Sequence, residues 1–420
     1  MKKYVEFIDT LKVKISTFQS IPKEEWDKSA VDCVDGLAAD ELRRLINLNV
    51  RRKSGAFFTN SQLANLVLQK LSPDFNKDSV IYDPACGAGN LLISIQDYLQ
   101  SLNIKLNWQT TLLGTDIHEE FVEAAKLRLL TNSLLKSKTT TLLSFKLESK
   151  KKYSIKNADG LENNYYYKKA THIFVNPPFN QVQSPKNLVW AKGKVSAAAL
   201  FIDKIIEYCN PGTSIIAILP DVLRSGSRYE KWRSLVKEKC TIEKFELLGI
   251  FDKHADVDVY AIKLTKRKKP SSCSPRKTSK QIKTLKDLFK ISVGTVVDNR
   301  DKKQGPLYPY VISRGLIGWS TQKELLKERK HGGKTLKGPF VVIKRTSRKE
   351  DAHRAVATII HVPKPVFVDN HLIVLQPNSK TLKECRKALE ILKRSETDEW
   401  LNRQIRCRHL TVKIVKDIPV

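Results

Sequence analysis

The residues with the most chemical potential are Asn176-Pro177-Pro178-Phe179, which follow the apolar run Thr171–Val175. Two consecutive prolines cannot donate to a parallel ladder, so a strand must stop there. The Asn176 side-chain oxygen and the Pro177 carbonyl can then face one NH₂ group. The two prolines stiffen the loop, and Phe179 offers a flat face for stacking. Together the four residues suit the positioning of one planar amine.

A second cluster lies upstream, where Ser79-Val80-Ile81-Tyr82-Asp83 runs into Pro84-Ala85-Cys86-Gly87-Ala88-Gly89-Asn90. Gly87 and Gly89 allow positive φ and close backbone approach in a turn that leads to a helix N-terminus, a place where a ligand can lie against the chain. The turn is not the dinucleotide fingerprint GxGxxG, since Leu92 holds the third glycine's place. Asp116 closes another apolar run, and an acid at a strand end can hold two ribose hydroxyls through charge-assisted hydrogen bonds. In Asn157-Ala158-Asp159-Gly160, Asp159 could accept from an exocyclic adenine amine or simply form a turn.

Those positions need a scaffold that brings strand ends together. The hydrophobic pattern predicts strands at Val80–Asp83, Thr111–Asp116, His172–Asn176, Ser214–Pro220, Ile242–Leu248 and Val257–Leu264. Helices are predicted at Asp40–Leu48, Gln62–Leu71, Asn90–Leu99, His118–Leu130, Ala197–Tyr208 and Tyr229–Lys239, with Asn60 or Ser61 capping the second. Alternation of this kind is that of an α/β domain with a largely parallel central sheet and helices on both faces, which binds ligands outside the carboxyl ends of its strands.

The 420 residues carry a formal charge of +31, which favours a polyanionic partner. Residues 1–263 hold 38 basic and 30 acidic side chains, whereas residues 264–420 hold 37 and 14, so two parts with different tasks are expected. The seam is the basic, Ser/Pro-rich stretch 266–277. Beyond it, short strand-like runs at Tyr310–Ile312, Phe340–Ile343, Pro365–Val368 and Leu372–Leu375 precede helical segments at Thr381–Arg394 and Asp398–Gln404, a mixed α+β pattern. Seven scattered cysteines without a CxxC pair argue against a disulfide framework and a structural zinc site, and no metal is expected. Acids near the start stand where a secretory signal would be apolar, and no apolar run reaches about 18 residues, so an intracellular protein with no membrane partner is expected.

With these motifs in hand, the sequence resembles the adenine-N6 DNA methyltransferases. Asp83-Pro84-Ala85-Cys86-Gly87-Ala88-Gly89 is similar to their cofactor motif and Asn176-Pro177-Pro178-Phe179 to their catalytic tetrad. Gly55-Ala56-Phe57-Phe58-Thr59-Asn60 resembles the segment that precedes the cofactor motif in the gamma arrangement, with Asn60 in the place of the usual proline. The order of motifs is that of Taq-like type II modification enzymes, with similarity to type I modification subunits.

The resemblance implies a Rossmann-like methyltransferase sheet and S-adenosylmethionine as cofactor, held by Phe58, Thr59, Asp83, Ala85, Gly87, Gly89, Asp116, Ile117, Asp159 and Asn176. It implies catalysis by Asn176, Pro177, Pro178 and Phe179 on a flipped adenine, with Phe179 and Phe251 stacking on the base. The loop Gln181–Ser196, with Trp190, Lys192 and Lys194, resembles a DNA-facing loop, and Arg345, Arg348 and Arg354 are candidate contacts of a recognition domain. The expected organisation is an N-terminal helical segment at 1–50, a catalytic domain at 51–265, a basic linker at 266–280 and a DNA-recognition domain at 281–420. Double-stranded DNA is the expected partner, a cognate restriction endonuclease a second, and the bacterial or archaeal cytoplasm and nucleoid the expected location.

Three rival readings stand beside this one. A release-factor glutamine-N5 methyltransferase uses a similar tetrad but predicts no large basic C-terminal domain. A type I modification subunit expects a longer helical N-terminal domain and a separate specificity subunit. A DNA-binding protein on a decayed methyltransferase scaffold would not need an intact tetrad. Enzymes acting on cytosine N4 or on RNA share the tetrad as well, though more often with a Ser or another first residue. The first 50 residues show no PD…ExK nuclease pattern, so modification alone is expected.

Overall fold

The computed structural model describes residues 2–20, 28–34, 36–56, 59–104, 106–136, 153–163, 165–251, 257–270, 283–302, 304–347, 351–405 and 409–420. The chain divides into two compact units, Met1–Leu223 with Glu230–Ser274, and Arg224–Tyr229 with Pro275–Val420.

The first unit is built on a sheet of β1 (Ile81–Asp83), β2 (Leu112–Asp116), β3 (Ser154–Asn157), β4 (His172–Val175), β7 (Ser214–Pro220), β8 (Cys240–Ile250) and β9 (Asp258–Lys266); β5 (Gln181–Gln183) and β6 (Lys194–Ser196) form a separate hairpin. Its strand order is β3-β2-β1-β4-β7-β9-β8. The first five are parallel, while β9 runs antiparallel to both β7 and β8. The order reverses between β1 and β4, which opens a crevice at their carboxyl ends. Full burial of β1 and β4 explains why their side chains do not alternate between apolar and polar, with Asp83 and His172 buried at one end of each.

Ile81, Leu92, Ile95, Leu112, Phe174 and Ile216 share one core. Burial of each such side chain contributes about 1.5–3 kcal/mol. The helix Ser61–Leu71 begins at Asn60, whose side chain accepts from the Leu63 amide at 2.7 Å. The helices Val5–Ser20 and Leu37–Leu45 belong to this unit too, since Phe7, Leu11 and Leu42 pack with Ala88, Phe121 and Ala124.

In the second unit, β10 (Phe289–Val293), β17 (Leu372–Pro377), β14 (Phe340–Lys344), β15 (Ala357–Ile360) and β12 (Thr321–Gln322) form one sheet in that order. A smaller sheet holds β13 (Glu328–Lys330), β11 (Leu307–Val311) and β16 (Phe367–Val368). The two-residue period of a strand sorts the side chains of β14 and β17. Val341, Ile343, Ile373 and Leu375 pack against the helices Leu382–Lys393 and Ser395–Gln404, while Phe340, Val342, Leu372 and Val374 pack against Val311 and Val368. Among the described residues no helix is long and apolar enough to cross a membrane.

Candidate active site

Where β4 ends, the Asn176 amide is fixed by a single bond, as its Nδ2 donates to Thr59 Oγ1 at 2.8 Å. The arrangement turns Asn176 Oδ1 into a buried acceptor with no hydrogen-bond partner among the described residues. An unpaired buried polar atom costs about 1–3 kcal/mol, so its persistence marks a place kept for a donor from outside the chain. Thr59 is itself held, because Asn90 Nδ2 donates to its carbonyl at 2.8 Å. Four residues further along, Asn180 donates to the Lys53 carbonyl at 3.0 Å and leaves its own Oδ1 buried and unpaired.

The turn after β1 joins the end of β2. Gly87 N donates to Asp116 Oδ2 at 3.0 Å and His118 N donates to Oδ1 at 2.9 Å, while Cys86 N bonds the Thr115 carbonyl at 3.0 Å. Gly87 and Gly89 take φ of 52° and 81°, and a Cβ on Gly89 would stand 3.1 Å from that of Ala125. Asp83 is buried and accepts from the Ala85 amide at 3.0 Å. Burial pushes its carboxyl up to about 8, and burial also raises Asp116 despite the two amides it accepts from. Both acids therefore sit where positive charge or hydroxyl donors from a ligand would relieve them.

These groups surround two adjoining cavities. The larger, of about 210 Å³, is lined by Ala85, Gly87, Asp116, Ile117, Asp159, Asn176, Pro178 and Asn180. The smaller, of about 20 Å³, is lined by Thr59, Asp83, Ala85, Cys86, Gly87, Asn90 and Asn176. A hollow of about 420 Å³ lies among helices, bounded by Asn65, Ser94, Asp97 and Asn132; it shares Asn90 with the smaller cavity and touches no strand end. The chemistry lies with the smaller cavities, where the acids and the unpaired Asn176 oxygen converge.

Thr59, Asp83, Ala85, Gly87, Asp116, Ile117, Asp159 and Asn176 line these two cavities, with Pro178 beside them. Gly89 serves the turn without lining either cavity, as the N-cap of the helix Asn90–Ser101, and Pro177 is buried. Phe58 lies outside the described residues. Asn90 and Asn180 were not singled out from sequence, because the roles of polar residues at a helix start and after a tetrad depend on distant partners. Cys86 packs in the core, and burial raises its thiol well above the ordinary value.

Several expectations are corrected. The Phe251 ring is buried in the core and meets Phe179 edge to face at 5.3 Å, so it presents no open stacking face; Phe179 is half-buried, packs against the same core and lines neither cavity. Trp190 is buried, with Nε1 donating to Asp203 at 3.3 Å, and anchors its loop instead of facing a partner. Lys192 and Lys194 on the same loop are exposed. Arg354 is fully buried and donates to Ser347, Asn402 and the Ile405 carbonyl, so it is a structural cation. Arg345 is half-buried, and its Nε and Nη1 donate to the carbonyls of Leu410 and Asn370, two bonds from a side chain with five N–H donors. Arg348 lies outside the described residues. Exposed bases of the second unit include Arg314, Lys323, Lys327, Lys330, Lys334 and Lys337, around β11 to β13.

Comparison with known proteins adds a family. The family model described as N-6 DNA Methylase matches residues 45–285. The type IIL restriction-modification enzyme MmeI, solved in complex with DNA, aligns at 13% identity with a TM-score of 0.57, covering 91% of this chain and 70% of that one. At that identity the likeness is one of fold. A protein from Listeria monocytogenes classed with the class I S-adenosylmethionine-dependent methyltransferases aligns at 18% identity and a TM-score of 0.41, over 63% of this chain and 75% of that one. A type I restriction-modification system methyltransferase subunit from Streptococcus thermophilus aligns at 17% identity and 0.39, over 55% and 49%.

Proposed function

We propose, from the premise that this chain belongs to the N-6 DNA methylase family, that it transfers a methyl group to N6 of an adenine turned out of duplex DNA, as the site-specific modification enzyme of a restriction-modification system. S-adenosylmethionine is the cofactor, and the residues present fit it. Burial has raised the two acids Asp83 and Asp116, which an ammonium group and ribose hydroxyls would relieve. Asp159 offers an acceptor to the adenine amine, Ile117 an exposed apolar surface to its ring, and Gly87 a close approach at positive φ. Bound there, S-adenosylmethionine supplies a strongly electrophilic methyl group.

The observation that carries the reading is the unpaired, buried Oδ1 of Asn176. The N6 lone pair of adenine is delocalised into its ring, and the amine is a poor nucleophile. Asn176 Oδ1 and the Pro177 carbonyl would accept hydrogen bonds from its two N–H groups, favour a more tetrahedral nitrogen and aim its lone pair for in-line transfer. Orientation of this kind contributes on the order of 7–11 kcal/mol. Phe179 would stack on the base and offset part of the few kcal/mol spent on flipping.

Residues 51–265 are then the catalytic part, 1–50 a helical segment packed with it, 266–280 a basic linker and 281–420 the recognition part. The positive charge of residues 264–420 supports DNA as the partner through phosphate contacts. A cognate endonuclease and a cytoplasmic, nucleoid-associated location belong to the same proposal. The test is incubation with tritiated S-adenosylmethionine and mixed genomic DNA, followed by digestion to nucleosides. Label is expected in N6-methyladenine, reduced about 10²–10³-fold in Asn176→Ala. Label in RNA or protein, with none in DNA, would overturn the reading.

A further inference from the structure

We propose that Arg128 is a positioning residue for the catalytic amide, acting through Asn90 and Thr59, and that it makes the helix Lys28–Val34 part of the catalytic machinery. This deepens the reading of Asn176 given above and rests on it.

Arg128 lies on the helix Glu119–Lys136 and is 1% exposed. Its Nε and Nη2 donate to the carbonyls of Cys33 and Val34 at 2.9 and 2.8 Å, at the carboxyl end of the helix Lys28–Val34. A cation is favoured at such an end, where free carbonyls gather. Its Nη1 donates to the Ala88 carbonyl, inside the turn after β1, and to Asn90 Oδ1 at 2.6 Å. One guanidinium thus ties the N-terminal helix, the cofactor turn and the start of the next helix.

The consequence for Asn176 follows from polarity at Asn90 and from position at Thr59, whose hydroxyl can both donate and accept. A guanidinium only donates, so Asn90 must present its oxygen to Arg128. Asn90 Nδ2 is then turned to the Thr59 carbonyl, which only accepts. Thr59 is held by that bond with its hydroxyl 2.8 Å from Asn176 Nδ2, and Asn176 Oδ1 is left as the free acceptor. An amide turned the other way would present Nδ2 to an incoming amine, donor against donor. Asn90, Thr59 and Asn176 all line the smaller cavity, so the relay ends where the reaction would take place.

The decisive variant is Asn90→Asp, which keeps an oxygen for Arg128 but replaces the donor facing Thr59 with an acceptor. Two quantities are read: the single-turnover methylation rate at saturating cofactor and DNA, and the exchange protection of the Asn176 side-chain NH₂ in chain labelled with ¹⁵N-asparagine, assigned with Asn176→Ala. The expected result is a rate lowered about 10- to 100-fold, binding of S-adenosylhomocysteine changed by less than about threefold, and a loss of protection at Asn176. Arg128→Lys is expected to show the same split. Should it fail to fold, Asn90→Asp carries the test alone. Thr59→Val, which removes the hydroxyl that Asn176 Nδ2 donates to, is expected to lower the rate as Asn90→Asp does. Transfer by Asn90→Asp at the unaltered rate, or an effect confined to melting temperature or cofactor affinity, overturns the positioning proposal by itself. Absence of transfer to adenine by the unaltered chain overturns the functional reading and the proposal that rests on it.

Discussion

Gly160 lies against Pro84 so closely that a Cβ on it would stand 2.0 Å from the Pro84 carbonyl oxygen. The loop after β3 and the turn after β1 are in backbone contact there, which carries Asp159 to the cavity wall. Tyr167 fastens the same point, its hydroxyl donating to the Gly160 carbonyl. Any side chain must force the two segments apart. Gly160→Ala is therefore expected to weaken S-adenosylhomocysteine binding about tenfold or more, some 1.4 kcal/mol, by calorimetric titration. Unchanged affinity would show that Asp159 and its loop take no part in holding the cofactor.

The raised carboxyl of Asp83, at about 8, makes cofactor binding sensitive to pH. At pH 7 the ligand-free chain holds this group mostly protonated, and an ammonium beside it would favour the ionised form. Binding should then release close to one proton, and affinity should rise with pH up to about 8. In the ligand-free chain the sign for stability is the opposite. A folded value above the ordinary 3.8 gives a contribution fully present below pH 3.8 and lost as pH rises through 8. Titration with S-adenosylhomocysteine at pH 7, in two buffers of different ionisation enthalpy, counts the protons. Wild type should release about one and Asp83→Asn none; no release by wild type would place the ammonium elsewhere.

Sequence pattern revealed the site where local rules act and missed it where distant partners decide. The carboxyl ends of β1, β2 and β4 were legible because apolar runs stop at Asp83-Pro84, at Asp116 and at Asn176-Pro177-Pro178, and strand ends in an α/β sheet are where ligands bind. Ser214–Pro220 and Ala197–Tyr208 match their elements residue for residue. A base such as Arg354 or an aromatic such as Trp190 in a polar stretch shows its type and not its neighbours, so sequence alone makes both candidates for facing DNA. Their burial is set by Asn402 and by Asp203, 48 and 13 residues away. Arg128 and Asn90 escaped notice for the same reason. The strands β12 and β13 have two and three residues, too few for a period of two to declare itself.

His172, buried in β4, should make the first unit sensitive to acid. Burial is the main cause that lowers its pKa to about 4 from 6.5, opposed by Asp74 and assisted by Lys263. Between those values the unfolded chain binds a proton that the folded chain does not, so stability is present above pH 6.5 and is lost as pH falls through 4. The loss by pH 4 is on the order of 3 kcal/mol. Chemical denaturation at pH 7 and pH 4 should show His172→Gln losing less stability than wild type by about that amount. Equal losses would mean that the imidazole stays hydrated in the folded state.

Buried and exposed bases should separate cleanly in their effects. Arg354→Met leaves acceptors on Ser347, Asn402 and Ile405 unpaired inside the second unit. At about 1–3 kcal/mol each, it is expected to lower unfolding stability by about 3 kcal/mol or more. Lys192 and Lys194, on the exposed part of the hairpin loop that Trp190 anchors, should behave in the opposite way. Replacing both with alanine is expected to leave the melting temperature within about 2 °C and to weaken DNA binding more at low salt than at high salt. If both contact phosphate, the slope of log K against log salt should become shallower by about 1.8, near 0.9 for each contact. An unchanged slope would remove this loop from the DNA interface and leave the phosphate contacts to other bases, among them Arg314, Lys323 and Lys327.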